Sequence, residues 1–242
     1  MTVMKENEIG RKAGSLAGIG VGPGDPELLT LKGKRLIEES DFVVIPHSGK
    51  DVNAAYTIAS AAVPAMEGKP IMEVDMPMIR DKEELARCHR RAAEKIMERL
   101  DRGENGVFLT LGDPTVYSTY IYVHDIITEK GYSTEIVSGI PSFCAAAARL
   151  NMGLTHADKA LHIIPASYLG LEEHLALDGT RVLMKSGKSL GKVKELLVGR
   201  KDLDVKMAVR CGMEGEKLYY SAEEIEEDSG YFSLLIVKGV KE

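Results

Sequence analysis

The 242-residue sequence contains no tryptophan, and aromatic side chains make up only 5% of it. Proteins that hold single-stranded nucleic acid stack bases on aromatic rings, so this scarcity argues against that class. A formal net charge of −6 argues against a general nucleic-acid binder, which needs a basic face. No apolar run approaches the length of a membrane span. We therefore expect neither a nucleic-acid partner nor a membrane partner.

Cysteine is also scarce. Cys88, Cys144 and Cys211 are scattered, odd in number and free of any C-x-x-C pattern. This usage fits a cytoplasmic protein in a reducing compartment. The six histidines are dispersed without the spacings that metal sites use, so no protein-bound metal is expected. Residues 1–14 are polar and lack the apolar core of a signal peptide, which predicts a flexible leader.

Apolar strand-like runs alternate with amphipathic helical segments along the chain, which predicts an α/β fold on parallel sheets with covered faces. The last two strands are close in sequence and are expected to pair antiparallel. On the long helix, the charged residues and His89 are expected on a solvated face. Strands are predicted at 16–21, 41–46, 70–74, 106–111, 134–137, 161–165, 181–184, 205–209, 217–221 and 231–237. Helices are predicted at 27–39, 51–63, 81–100, 116–130, 141–150, 169–176 and 190–198.

A domain boundary is predicted where Gly112, Asp113 and Pro114 interrupt this alternation. The prediction is an N-terminal α/β domain over residues 15–112 and a C-terminal α/β domain over residues 113–242. The cleft between two such domains is the natural place for a ligand.

The first strand runs into a turn with glycine at positions 18, 20, 22 and 24, and a helix follows. A dinucleotide fingerprint needs Gly or Ala three residues after its second glycine, where this chain has Pro23 or Asp25. A tight turn and a ligand loop are about equally good interpretations. The fragment Gly187-Lys188-Ser189 imitates a phosphate loop, but the glycine required upstream is replaced by Val182. Neither pattern predicts a nucleotide site.

Four turns leave the carboxyl ends of predicted strands, at residues 22–26, 111–114, 138–142 and 184–189. Open α/β sheets bind ligands outside those ends, so the four turns are expected to meet around one crevice. Asp113, in the second turn, is a general base, a metal ligand, a hydroxyl acceptor or a helix cap, and local sequence favours the cap. Met184, at the end of a buried strand, suits either a core position or a flat ligand.

An ordered set of motifs resembles the tetrapyrrole methylases, the S-adenosylmethionine (SAM) methyltransferases of cobalamin and sirohaem synthesis. The motifs are GIGVGPGDPELLT, LTLGDPTVYS, SGIPSF followed by LTH, and the strand VLMK, and the likeness runs from residue 16 to the C-terminus. Three further segments are most similar to the branch that methylates C20 of precorrin-2 or cobalt-factor II. These are PHSGKDVNAAYTIA, MPMIRDKEELARCHRRAAEKI and FLTLGDPTVYSTYIYV.

The resemblance implies a homodimer in which each chain holds SAM bent in the cleft between two α/β domains. The positions matching the family's SAM site are Pro23, Leu111, Gly112, Asp113, Val116, Tyr117, Pro141, Ser142, Met184 and Ala208. Other branches often have Thr-Ala where this chain has Pro141 and Ser142. The glycine-rich loop resembles the family loop that faces the substrate, which gives Gly22, Gly24 and Asp25 as substrate-binding residues.

The implied reaction is an in-line displacement in which a meso carbon of the tetrapyrrole attacks the sulfonium methyl group. Because the tetrapyrrole carries several carboxylates, an acidic protein needs a local basic patch. Arg80 and Lys185 are the favoured members, with Lys50, Lys82, Arg87 and Lys188 as further candidates. The group that takes the meso proton stays open among Asp113, Tyr117, a backbone carbonyl and water. The alternatives are a methylase with another ring position or acceptor, and a non-catalytic SAM- or tetrapyrrole-binding module.

Overall fold

A computed structural model describes residues 13–47, 53–77, 79, 81–156, 158–165, 170–185 and 189–240. The chain divides into two compact units, Met1–Pro141 and Ser142–Glu242. The predicted leader falls almost wholly on residues outside the described part. Each unit carries one five-stranded sheet with helices packed on it.

The described residues of the first unit form five strands and four α-helices in strict alternation. The strands are β1 (Ser15–Gly20), β2 (Phe42–His47), β3 (Ile71–Asp75), β4 (Gly106–Thr110) and β5 (Ser133–Val137). The helices are α1 (Leu31–Glu39), α2 (Ala54–Ala62), α3 (Lys82–Leu100) and α4 (Tyr120–Glu129). A short 3₁₀ helix, Pro26–Leu28, stands where the sequence predicted the start of the first α-helix.

All five strands of the first sheet are parallel, in the order β3-β2-β4-β1-β5. Alternate residues of β1 point to opposite faces. Leu16 belongs to a core formed with α3 and α4, whereas Ile19 lies against Gly33 of α1. The connection after β1 therefore leads to one face of the sheet and the connection after the neighbouring β4 leads to the other. Such a reversal leaves a crevice at the carboxyl ends of the two strands.

The second unit contains α5 (Ser142–Arg149), α6 (Leu171–Leu175) and α7 (Leu190–Leu197). Its strands are β6 (Leu161–Pro165), β7 (Thr180–Met184), β8 (Leu203–Val209), β9 (Lys217–Tyr219) and β10 (Ser233–Gly239). The sheet order is β6-β7-β10-β8-β9, and only β6 and β7 are parallel neighbours. The parallel sheet expected for this half is therefore wrong. The expected pairing of the last two strands is also wrong, because β8 lies between them.

The predicted boundary at residues 112 and 113 also needs correction. Strand β5 pairs with β1 along its whole length, from Ser15 opposite Ser133 to Ile19 opposite Val137. Residues 113–141 therefore complete the first sheet, and the division falls after Pro141. The second correction concerns His89, which is buried on α3 and stacks on Tyr122 of α4 with ring centroids 4.7 Å apart. Burial lowers the pKa of His89.

Candidate functional site

Two of the predicted turns are joined directly at the carboxyl edge of the first sheet. Gly22, after β1, and Gly112, after β4, form an antiparallel bridge in which each N–H donates to the other residue's carbonyl oxygen, at 3.2 and 2.8 Å. Both glycines have positive φ, 80° and 72°, a backbone region that side-chain-bearing residues rarely adopt. The bridge therefore depends on glycine at both positions, and it brings the first two turns together as the sequence predicted.

The third turn packs onto the same point through backbone-to-backbone contact. A Cβ on Gly139, after β5, would lie 2.6 Å from the carbonyl oxygen of Gly20 and closer still to that of Gly112. A Cβ on Gly20 would lie 2.6 Å from both Gly112 O and Gly139 N. We call Gly20, Gly22, Gly112 and Gly139 the glycine junction. Its glycines are required because three loops of the protein touch each other.

Asp113 fastens this junction with its side chain. It is buried, with 7% of its surface exposed. Its Oδ2 accepts from the Gly139 N–H at 3.0 Å, and its Oδ1 accepts from the Thr115 N–H at 2.8 Å and the Thr115 hydroxyl at 2.5 Å. The predicted helix cap is wrong, because α4 begins at Tyr120 with Thr119 at its N-cap. The carboxylate links two turns, and three donors already occupy it.

Beyond Asp113, the chain makes a short loop before α4 in which Thr115 and Tyr117 are exposed. Ser118 holds its far end, since its hydroxyl lies 2.8 Å from that of Thr110 on β4 and accepts from the Tyr120 N–H at 3.1 Å. Val116 is half-buried, whereas Tyr117 is 50% exposed with φ of +51°. The loop at residues 114–117 is thus held at both ends and presents an exposed aromatic ring.

The glycine-rich turn after β1 is largely buried. Gly22, Pro23 and Gly24 are buried and Asp25 is half-buried. The Asp25 carboxylate accepts from the Glu27 N–H at 2.9 Å and so begins the 3₁₀ helix, while Thr30 caps α1 through the Gly33 N–H. The local sequence thus explains Asp25 as a cap, and the substrate-binding role assigned to it stays a prediction.

In the second unit, two predicted site residues lie at one end of the sheet. Ala208 on β8 is opposite Leu234 of β10, and Met184 on β7 directly follows Leu183, which is opposite Leu235. One strand therefore separates Met184 from Ala208. Ala208 is buried and Met184 half-buried. Both lie at the same end of this sheet, near the carboxyl ends of their strands, and their role in binding SAM stays a prediction.

A family model of the Tetrapyrrole (Corrin/Porphyrin) Methylases matches residues 15–226. The chain belongs to this family. The predicted family and the predicted fold of two α/β units are both confirmed.

Named relatives of this tetrapyrrole methylase cover nearly its whole length. It is 37% identical over 228 residues to a probable cobalt-precorrin-2 C(20)-methyltransferase of Methanocaldococcus jannaschii, covering 93% of this chain and 96% of the relative. It is 27% identical to a precorrin-2 C(20)-methyltransferase of a Sinorhizobium species, covering 95% and 97%. A solved structure of uroporphyrin-III C-methyltransferase from Thermus thermophilus, complexed with S-adenosylhomocysteine, superimposes with a TM-score of 0.64 at 24% identity, covering 93% and 97%.

The remaining predicted site residues of this tetrapyrrole methylase are placed as follows. Leu111 and Pro141 are half-buried beside the junction, and Ser142 is the first residue of α5. Lys185 is exposed with φ of +56°, and desolvation lowers the pKa of its ammonium group. Arg80 lies outside the described residues, as do Lys50 and Lys188. Of the exposed candidates on α3, Arg87 pairs with Glu84.

Three residues of the site were missing from the predicted set. Gly20 and Gly139 belong to the glycine junction, and Thr115 donates to the Asp113 carboxylate. The available signal was a glycine as the last residue of β1, another glycine two residues after β5, and a threonine two residues after an aspartate. Within the described ranges, no group of three or more histidine, cysteine, aspartate or glutamate residues is arranged to hold a metal. No helix there is long and apolar enough to cross a bilayer.

Proposed function

We propose that this tetrapyrrole methylase transfers the methyl group of SAM to the C20 meso carbon of precorrin-2 or cobalt-factor II, in cobalamin biosynthesis. The observation that carries the proposal is the 37% identity, over 93% of the chain, to a relative named for this reaction. The described site supports it by placing three turns together at the carboxyl edge of a parallel sheet. We include in the proposal a cytoplasmic homodimer, on the cysteine usage and the family resemblance.

The glycine junction supports a donor site by holding its three turns to one another. Gly22 and Gly112 have their N–H and C=O groups committed to each other, and Asp113 engages Gly139, so the three turns are fixed before any ligand arrives. We propose that Pro23, Leu111 to Asp113 and Val116 line one side of the SAM site. We propose that Pro141, Ser142, Met184 and Ala208 complete it. A bound SAM supplies a methyl group on a sulfonium, and preorganised loops limit the entropy lost in aligning it.

The residues of this chain are proposed to orient the acceptor and exclude water. No covalent intermediate with the enzyme is needed, because the meso carbon is itself the nucleophile. The proton that it loses is not assigned to Asp113, whose two oxygens already accept hydrogen bonds from Thr115 and Gly139. Lys185 and Arg80 are proposed to contact substrate carboxylates, with Gly22, Gly24 and Asp25 on the substrate side.

The test is incubation of the protein with methyl-labelled SAM and precorrin-2, in parallel with cobalt-factor II, followed by location of the label. We expect the label on C20. Label on another ring carbon would identify the protein as a member of the family that methylates a different ring position. SAM binding without any transfer would identify a non-catalytic binding module instead. Comparing the two acceptors decides whether the substrate carries cobalt.

Lys185→Ala is expected to raise the KM for the tetrapyrrole about fivefold, because a charge-assisted contact to a carboxylate is lost. Affinity for S-adenosylhomocysteine should stay unchanged. Alanine adopts the positive φ at position 185 no more easily than lysine does, so the substitution leaves the backbone strain unchanged. Steady-state kinetics and a titration measure the two quantities. The control is Lys201→Ala, which removes an exposed lysine from the loop between α7 and β8. Equal loss of both affinities would refute a substrate contact.

A further inference from the structure

Tyr117 has a backbone conformation that its own side chain disfavours. Four described residues other than glycine have positive φ: Tyr117, Asn151, Lys185 and Arg210. Asparagine tolerates this region, because its short side chain bonds locally, but a bulky aromatic residue does not. Residues held in such conformations persist only where the surrounding structure fixes them, and they cluster at ligand sites.

The structure around Tyr117 supplies that fixation from both sides. Upstream, the buried Asp113 carboxylate holds Thr115 and ties the loop to Gly139. Downstream, Ser118 is bound to Thr110 on β4 and to the first residue of α4. The strain at residue 117 is therefore offset by two anchors, each of which reaches a strand end or a neighbouring turn of the site.

The ring held in this way is half exposed, although burial drives most aromatic side chains into the core. Gly112 and Asp113 are buried, whereas Tyr117 lies four residues after Asp113 and is 50% exposed. The strained backbone thus holds an aromatic ring at the surface, in the same loop as Asp113, where a ligand can reach it. A rigid ring with few rotatable bonds suits a flat conjugated ligand, because stacking or edge contact then costs little side-chain entropy.

We propose that Tyr117 is a contact residue for the tetrapyrrole, with its ring packed against the macrocycle to fix which meso carbon faces the methyl group. The proposal rests on the proposed function, and it moves Tyr117 from the donor side of the site, where the resemblance put it, to the acceptor side. The strained loop at residues 114–117 is the device that keeps the ring in place before the substrate binds.

The test compares Tyr117→Gly with wild type in two binding titrations and one unfolding experiment. Glycine removes the ring and also relieves the positive φ. We expect the Kd for cobalt-factor II, measured by absorbance with saturating S-adenosylhomocysteine, to rise about tenfold, the loss typical of a buried aromatic contact. The Kd for S-adenosylhomocysteine should stay within about twofold, and the unfolding midpoint should be unchanged or higher. A stability loss together with weaker binding of both ligands would overturn the proposal.

Three further variants separate the ring from its surroundings. Tyr117→Phe keeps the ring and should restore tetrapyrrole affinity to within about threefold of wild type. A loss as large as that of Tyr117→Gly would overturn the ring contact. Asn151→Gly relieves a positive φ of the same size elsewhere, and Tyr122→Ala removes another exposed tyrosine from α4. Neither should weaken tetrapyrrole binding, and weakening by either to the same extent would count against a role specific to Tyr117.

The binding titration tests the Tyr117 contact independently of methyl transfer to C20. If wild-type protein binds cobalt-factor II but places no label on C20, the proposed reaction fails and the Tyr117 contact is still decided by the titration. If the wild type binds neither cobalt-factor II nor precorrin-2, both fail together.

Discussion

Gly139→Ala should lower the free energy of unfolding by about 3 kcal/mol and abolish detectable binding of S-adenosylhomocysteine, because the added methyl has no room. Its Cβ would lie 2.6 Å from Gly20 O and nearer to Gly112 O, and both are backbone atoms that cannot rotate away. The turn after β5 must then move outward, which breaks the Asp113 hydrogen bond to the Gly139 N–H.

The matched control for Gly139→Ala is Gly239→Ala at the end of β10. A Cβ there meets nothing within 4 Å, and its φ is not positive. We expect its free energy of unfolding to equal or slightly exceed that of wild type, since alanine restricts the unfolded chain. Urea denaturation and a titration with S-adenosylhomocysteine measure both variants. A Gly139→Ala protein as stable as Gly239→Ala would mean that the three loops can separate without cost.

The order and type of most elements could be predicted because each strand is a short apolar run and each helix has an apolar stripe. The partner of a strand could not be predicted in the same way. β5 was assigned to the second domain because it follows an interruption at Gly112, yet it pairs with β1, more than a hundred residues away. β9 and β10 are consecutive, yet β8 lies between them. Sequence alternation gives the order along the chain, whereas sheet order depends on long-range packing.

The same limit applies to the candidate site: features of single segments were predictable, whereas contacts between segments were not. Three of the four turns predicted to meet do so at one edge of the first sheet, because the carboxyl ends of parallel strands share that edge. The fourth, at residues 184–189, belongs to the second unit and lies partly outside the described residues. The junction between the turns was not predictable, because it depends on a side-chain bond from Asp113 to the Gly139 N–H across 26 residues of sequence. From the local sequence, the favoured role of Asp113 was to cap the helix predicted to follow it. His89 was misplaced for a related reason, since its face of α3 is covered by α4, and no pattern within α3 reveals that neighbour.

Asp113→Asn should lower the free energy of unfolding by about 2 to 4 kcal/mol, since a buried charged acceptor is lost. The carboxylate accepts from Thr115 on one oxygen and from Gly139 on the other. An amide offers one oxygen, so in either orientation its NH₂ group faces a backbone N–H. The control is Asp81→Asn at the N-cap of α3, where an exposed carboxylate accepts from the Glu83 and Glu84 N–H groups. Asparagine caps helices nearly as well, so its unfolding midpoint should stay close to wild type.

Asp113→Asn also distinguishes two roles for this carboxylate, that of positioning the loops and that of accepting the meso proton. The measurements are stability, affinity for S-adenosylhomocysteine and kcat. If Asp113 positions the loops, the variant should lose stability and bind S-adenosylhomocysteine about tenfold more weakly, because Leu111 and Gly112 are no longer held against Gly139. If Asp113 instead took the meso proton, the variant would fold and bind S-adenosylhomocysteine like wild type and lose only kcat. The first outcome is expected, because a carboxylate that is 7% exposed and accepts three hydrogen bonds has little capacity left for a proton from substrate.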